Sequence, residues 1–327
     1  MSERILALMG PTASGKSALA ERLAERFDGE LISVDSALVY RGLVIGAAKP
    51  DYPHHLVHLR DPADPYTAAD FARDAKRCIR EIIARGRRPI LVGGSMLYFR
   101  ALIHGLDDIP PSDPAIRAAI VNEAHEVGWP ALHRELLEVD PVSAVKLHPN
   151  HSQRICRALE VYRGTGAPLS AWQRGEATSQ AGQFECIALC TEPRAALHSR
   201  IERRLDCMFA GGLIDEVRAL MARGDCHSDL PAIRAVGYRQ VWGYLEGDFD
   251  LPTCREKALI ATRQLAKRQS TWLRSWPDLT WVFTDGAGRL IQMEKPAIEP
   301  VNAGDNIGPA AAESVWADRI ESFMRNF

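Results

Sequence analysis

No stretch of the 327-residue chain is apolar for long enough to cross a bilayer, which excludes a membrane-spanning helix as an organising element. Paired metal-binding cysteines are missing as well. The seven cysteines, Cys78, Cys156, Cys186, Cys190, Cys207, Cys226 and Cys254, never fall into a C-x-x-C spacing, so neither a zinc site nor a disulfide framework is indicated. They read as small buried hydrophobes, with Cys186 and Cys190 sharing one face of a strand in "ECIALC". An excess of positive charge is also absent. At a formal net charge of −2, any contact with nucleic acid has to come from a local basic surface rather than from bulk charge. The sequence has no internal repeat. The apolar run in "MSERILALMGP" is too short for a signal peptide, so a cytoplasmic location is expected.

What is present is ordinary globular composition, 46% hydrophobic and 25% charged. The first hundred residues alternate short apolar runs with helical patterns. "ILALM" (5–9), "ELISVD" (30–35) and "RPILVGG" (88–94) are predicted strands; "KSALAERLAERF", "YTAADFARDAKRCIREIIARG" and "SMLYFRALIHG" are predicted helices. Thr67 with Asp70 forms a capping-box pattern at the start of the second helix, and Gly86 stops it. Such alternation implies a parallel sheet covered on both faces. From "DDIPPSDP" to about Gly182 only helical periodicity is found, and Pro110, Pro111 and Pro114 mark a hinge into it. The α/β pattern then resumes with the strand "QFECIALC", several helices and a last strand "LTWVF" (279–283). The expected organisation is an α/β core over 1–108 and 183–285, an all-helical insertion over 109–182, and a weakly patterned tail over 286–327 that ends in a short helix near "AAESVWADRIESFM".

"GPTASGKS" follows the first strand and opens the first helix. It fits G-x-x-x-x-G-K-[ST], the phosphate-binding loop of nucleotide- and ATP-binding proteins. Gly10 and Gly15 allow backbone close to an anion, letting consecutive loop N–H groups converge on it, and the helix starting near Lys16 adds its positive dipole end. Lys16 adds a point charge and the Ser17 hydroxyl can join a magnesium shell. The fold class is therefore a P-loop NTPase-like parallel sheet core with an inserted helical domain. The loop identifies a polyphosphate but not which one.

Asp35 closes the second strand and should face the same crevice as the loop, since ligands of open α/β sheets sit beyond the strand carboxyl ends. Base, magnesium ligand and helix cap are the readings open to it; "DSALVYRG" begins no periodic helix, which disfavours the cap. Ser95, after "VGG", reads as the cap of the following helix or as a hydroxyl aimed into the crevice. Farther on, "TRQLAKRQSTWLRSW" (262–276) carries Arg263, Lys267, Arg268 and Arg274 interleaved with Trp272 and Trp276, without an acidic residue. "IRAVGYRQ" adds Arg234, Tyr238 and Arg239, and "HPNHSQRICRALEVYR" adds Arg154 and Arg157. Cations for phosphates and indoles for unpaired bases make a local RNA surface.

Together these segments resemble the tRNA dimethylallyltransferase (tRNA isopentenyltransferase) family. "GPTASGKS", "ELISVDSALVYRG", "IGAAKP", "GRRPILVGGSMLYFRAL", "HPN…QR…RALEVYR", "DLPAIRAVGYRQVWGYLEG" and "ATRQLAKRQSTWLR" occur in the family's order, from about Ile5 to Trp276. The resemblance implies transfer of a dimethylallyl group from dimethylallyl diphosphate to N6 of the adenosine 3′ of the anticodon. On that reading the loop, Gly10, Pro11, Thr12, Ala13, Ser14, Gly15, Lys16 and Ser17, holds the donor diphosphate rather than ATP, with Mg2+ on Ser17. Arg200 and Arg204, or Arg203, reach the diphosphate. Asp35, Ser95 and Lys16 form the catalytic set, Asp35 as base.

The tRNA anticodon stem-loop is expected at Asp35, Ser36, Ala37 and Leu38; at Ser95 and Arg117; at Gln153, Arg154, Ile155, Cys156 and Arg157 of the helical insertion; at Arg234, Ala235, Val236, Gly237, Tyr238 and Arg239; and at Lys267, Arg268, Gln269, Ser270, Thr271, Trp272, Leu273 and Arg274. A monomer without a membrane partner is expected. The chain departs from the family pattern at Leu38, Ala47, His58 and Ser95, where glutamine, threonine, aspartate and threonine are usual. Two other classes fit the loop: a small-molecule or nucleotide kinase using ATP, and a non-catalytic RNA-binding P-loop protein.

Overall fold

The computed structural model describes residues 4–173, 179–294 and 315–325. The chain divides into two units: Met1–Ile103 with Gln180–Phe327, and His104–Ser179. These breaks fall a few residues before the hinge prolines and Gly182. The cause is local, because the Gln180 N–H donates to the Ile103 carbonyl at 2.7 Å and ties the returning strand to the end of the departing helix.

The larger unit is built on seven strands: β1 (Ile5–Met9), β2 (Gly29–Val34), β3 (His54–His55), β4 (Arg88–Gly93), β5 (Phe184–Thr191), β6 (Thr280–Thr284) and β7 (Leu290–Glu294). They lie in the order β3-β2-β4-β1-β5-β6-β7, and every pairing is parallel except β6 with β7. The central strand β1 is apolar throughout because both of its faces are covered. Leu6 and Leu8 point to one layer, with α1 (Lys16–Phe27). Ala7 and Met9 point to the other, with α2 (Ala68–Ala84) and α3 (Met96–Ile103). The Thr67 hydroxyl accepts from Asp70 N and the Asp70 carboxylate accepts from Thr67 N, both at 3.1 Å, so the predicted capping box starts α2.

The smaller unit contains α4 (Pro114–Val127), α5 (Trp129–Val139), α6 (Pro141–Ala144), α7 (Ser152–Thr165) and α8 (Leu169–Trp172), packed around Ile120, Leu132, Leu136, Ile155 and Leu159. Its polar centre is Glu160, which is 2% exposed. Glu160 accepts from Asp113 N (2.7 Å), from the Ser112 hydroxyl, and from the guanidinium groups of Arg117 and Arg157 at 3.4 Å each. A buried carboxylate needs such partners to remain charged.

The larger unit continues with α9 (Arg194–Ala210), α10 (Leu213–Ala222), α11 (Tyr238–Glu246), α12 (Leu251–Arg274) and α13 (Val315–Arg325). Among the described residues no helix is long and apolar enough to cross a membrane.

The tail is more structured than its pattern suggests. Beyond the added strand β7, α13 carries Trp316 into the α1 layer, where it meets the Phe27 ring edge-on at 5.6 Å. The Glu185 carboxylate accepts from Trp316 N (3.2 Å) and Ala317 N (2.9 Å), satisfying two N–H groups that a helix start leaves open. The indole N–H reaches the Arg4 carbonyl at 2.8 Å. Trp316→Ala is therefore expected to cost about 3–5 kcal/mol of stability, as for other buried tryptophans. Urea unfolding checks it; an unchanged midpoint would mean that α13 contributes nothing to the core.

Candidate active site

Three strand ends meet the same crevice. The first is the loop after β1. A Cβ on Gly10 would lie 2.5 Å from the Leu189 carbonyl and 2.9 Å from the Ser14 hydroxyl, so only glycine fits there. Gly15 has φ +95°, and the Arg200 guanidinium lies 3.0 Å from where its Cβ would be. Lys16 Nζ donates to the Pro11 carbonyl at 3.1 Å, across the mouth of the loop. The Ser14 hydroxyl is buried without a hydrogen-bond partner among the described residues.

A cavity of about 370 Å3 is lined by Ala13, Gly15, Lys16, Ser17, Ala18 and the three arginines of α9, Arg200, Arg203 and Arg204. All three thus face the loop; Arg200 sits against Gly15, Arg200 and Arg204 are half-buried, and Arg203 is exposed. Burial pushes Lys16 down to about 8, Arg204 adds to the depression, and Asp35 opposes it. Burial also lowers Arg200 and Arg204. Four crowded cations and no acidic lining make a place for a polyanion. Ser17 is exposed in the first turn of α1 and lines this cavity. One hydroxyl beside phosphate oxygens and water is a donor set that Mg2+ takes, so the residues fit the ion. Among the described residues no three acids, histidines or cysteines cluster to hold a metal by themselves.

The second and third strand ends form a ledge. Asp35 Oδ1 accepts from Ala37 N (2.8 Å) and Leu38 N (3.2 Å), so the carboxylate anchors the turn after β2, where, as the spacing implied, no helix begins. A four-residue turn needs no helical periodicity, so this anchoring role leaves no periodic signal. Among the described residues no hydrogen bond reaches Oδ2. Of the two weighed roles of Ser95, the hydroxyl serves the crevice, and among the described residues no N–H of α3 donates to it as to a cap. Its carbonyl accepts from Tyr98 N and Phe99 N as α3 begins, while its hydroxyl accepts from Ser36 N at 3.0 Å.

Asp35, Ser36 and Ser95 open into a cavity of about 570 Å3, which also takes in Thr12 and Ala13 of the loop. Arg204, Arg234 and Arg268 supply its cations, and Tyr40, Tyr66, Tyr98, Leu205, Met208 and Trp272 much of its apolar wall. This is the composition of a small-molecule site, mostly apolar with few placed polar groups.

The segments expected at RNA sort by exposure. Arg154, Arg234, Arg239, Lys267, Arg268 and Arg274 are exposed, and Ala235, Val236 and Gly237 line the large cavity. Ile155, Cys156, Tyr238 and Leu273 are at most 1% exposed, and Leu38 is 8% exposed. These five belong to hydrophobic packing rather than to a contact surface, which corrects the expectation for them. The Tyr238 hydroxyl donates to Glu216 Oε1 (2.6 Å) and accepts from Ala47 N (3.1 Å). Ser270 and Thr271 direct their hydroxyls to carbonyls of their own helix. Arg117 is held by Glu160 and by Gln153 Oε1 at 3.1 Å. Lys267 and Arg274 border a second cavity of about 560 Å3 with Arg194, Arg263, Trp281 and Phe283.

One residue escaped sequence reasoning, Glu216, and another, Gln269, was expected at RNA but is engaged within the protein. Glu216 of α10 accepts from Val44 N, Ile45 N and Gly46 N at 2.8–3.1 Å and so shapes the loop that carries Gly46 and Ala47 to the cavity. The Gln269 amide bridges Thr12 and Gly94.

The profile of the IPP transferase family matches residues 38–276. The chain is 50% identical to tRNA dimethylallyltransferase 2 of Hahella chejuensis over 90% of this chain and 96% of that one. It is 53% identical to tRNA dimethylallyltransferase of Albidiferax ferrireducens, over 93% of each. The crystal structure of tRNA isopentenylpyrophosphate transferase from Bacillus halodurans superposes with a TM-score of 0.62 at 38% identity, covering 87% of this chain and 91% of that one. A profile spanning most of the chain, together with relatives half identical along nearly all of it, makes this protein a member of the IPP transferase family.

Proposed function

We propose that the protein is a tRNA dimethylallyltransferase that moves the five-carbon group of dimethylallyl diphosphate to N6 of the adenosine 3′ of the anticodon. One observation carries this reading: the cationic phosphate cradle opens beside a carboxylate with one uncommitted oxygen, in a mostly apolar cavity large enough for an allyl group and a purine.

In the proposed step the allylic C1–O bond breaks, the C1–N6 bond forms, and diphosphate leaves. Lys16 with Arg200 and Arg204 hold the diphosphate and balance the charge that grows on it, a contribution that increases towards the transition state. Mg2+, when held by Ser17 and the diphosphate oxygens, adds Lewis-acid neutralisation of the leaving group. Asp35 orients the amine through Oδ2 and takes its proton as the carbon–nitrogen bond forms. The adenine has to leave its stack to enter, at a cost of a few kcal/mol that is lower in a loop than in a duplex. The exposed cations Arg234, Arg268, Lys267 and Arg274 suit the RNA backbone, and half-buried Trp272 offers a stacking face.

Mixing the purified protein with an unmodified anticodon stem-loop, dimethylallyl diphosphate and Mg2+, without ATP, tests the assignment. Mass spectrometry should find one dimethylallyl addition on the loop adenosine. Absence of product together with ATP turnover when ATP is supplied would move the protein to the kinase class.

A further inference from the structure

We infer that Gln269 is a positioning residue: it sets the separation between the donor-holding loop and the Asp35–Ser95 ledge. The inference rests on the transferase reading. It departs from the expectation that Gln269 contacts RNA.

Gln269 lies in α12, between the exposed cation Arg268 and Trp272, and its half-buried amide lines the large cavity. Oε1 accepts from Thr12 N at 2.9 Å, and Nε2 donates to the Gly94 carbonyl at 2.9 Å. The orientation of the amide is fixed by chemistry, because Thr12 N–H can only donate and the Gly94 carbonyl can only accept. A Cβ on Gly94 would overlap Nε2 and would lie 3.2 Å from the Gly10 carbonyl. The phosphate loop, the end of β4 and α12 therefore converge on one point, and glycine at 94 is what lets them.

The tether has two ends that matter to the reaction. Thr12 belongs to the loop that would hold the diphosphate. Gly94 precedes Ser95, whose hydroxyl accepts from Ser36 N, beside Asp35. One side chain thus links the part that grips the leaving group to the part that presents the base. Reaction rates depend steeply on such separations, and a shift of about 1 Å can cost about 100-fold.

Two variants and two readouts test the assignment. Gln269→Met keeps the length of the side chain and removes both hydrogen bonds. Gln269→Glu keeps an acceptor for Thr12 N–H but sets a carboxylate oxygen against the Gly94 carbonyl until it is protonated.

Gln269→Met should lower kcat by about 100-fold while donor KM and stem-loop Kd stay near those of the wild type. Gln269→Glu should be as slow at about pH 8 and should recover relative to wild type towards about pH 5.5, because a neutral carboxyl donates to Gly94 as the amide does. Gln269→Met should show no such recovery. A kcat unchanged in Gln269→Met, a loss confined to stem-loop affinity, or a Gln269→Glu that follows the wild-type pH profile would each overturn the assignment.

Amide hydrogen exchange of the Thr12 peptide in the ligand-free protein reads the tether without any substrate. Faster exchange in Gln269→Met supports it, and identical exchange overturns it, whether or not the wild type proves to be a transferase.

Discussion

Asp35→Asn should slow single-turnover transfer by about 10²- to 10⁴-fold, the range that general-base groups supply, with donor and stem-loop affinities close to wild type. Asparagine is the informative replacement because of what Oδ1 already does. That oxygen holds Ala37 N and Leu38 N, and an amide oxygen can go on holding both. Only the proton acceptor is lost. Asp35→Ala removes the turn's anchor as well, so it should weaken stem-loop binding in addition to slowing the chemistry. Rapid-quench measurements with saturating donor and stem-loop separate the two variants. A single-turnover rate for Asp35→Asn within a few-fold of wild type would remove Asp35 from the role of base.

Lys16→Met should reduce transfer by about 10²- to 10³-fold, the loss seen when one preorganised donor to a developing negative charge is removed. It should also erase a pH dependence. In the free protein burial pushes Lys16 down to about 8. A bound diphosphate favours the charged amine and raises that value. Below about pH 8 the amine is protonated with or without diphosphate, so its contribution to affinity is constant. Above that value binding has to take up a proton, and the affinity should fall by up to about tenfold per pH unit until the bound-state value is reached. Calorimetric titration of inorganic diphosphate at pH 7 to 10, with Lys16→Met measured alongside to cancel the ligand's own ionisation, reads the Lys16 contribution. A wild-type to variant affinity ratio that does not change with pH would mean that Lys16 remains charged in the empty loop over the whole range.

Much of the site was legible because its signals are local. The loop glycines, Lys16 and Ser17 stand within eight residues, and the capping box of α2 within four. The strands around β1 announce themselves by continuous apolar runs. Other features have no short-range signature. β3 is the two-residue strand His54–His55, too short for any period to register. β7 is an exposed edge strand with no apolar stripe to mark it. Gln269 meets Thr12, and Glu216 meets Val44, across most of the larger unit, and no spacing rule joins such partners. The misplaced RNA contacts have a related cause. A resemblance transfers whole segments, but a helix turns its faces every 3.6 residues, so Gln153 and Arg154 are exposed where Ile155 and Cys156 lie inside. Burial, not segment membership, separates them.

The tether at Gln269 also bears on synthesis. Strand β1 is made first, yet its neighbour β5 follows only after the helical unit, and the amide that fixes Thr12 comes later still, in α12. The helical unit is held by contacts close in sequence and can close early, whereas the sheet waits for distant partners. A nascent chain that has not yet reached residue 269 would display the complete "GPTASGKS" motif without the hydrogen bond that fixes its Thr12. The placement of the loop against the ledge is in this sense a property that the chain acquires late, from a residue more than two hundred positions downstream of the motif that advertises the loop.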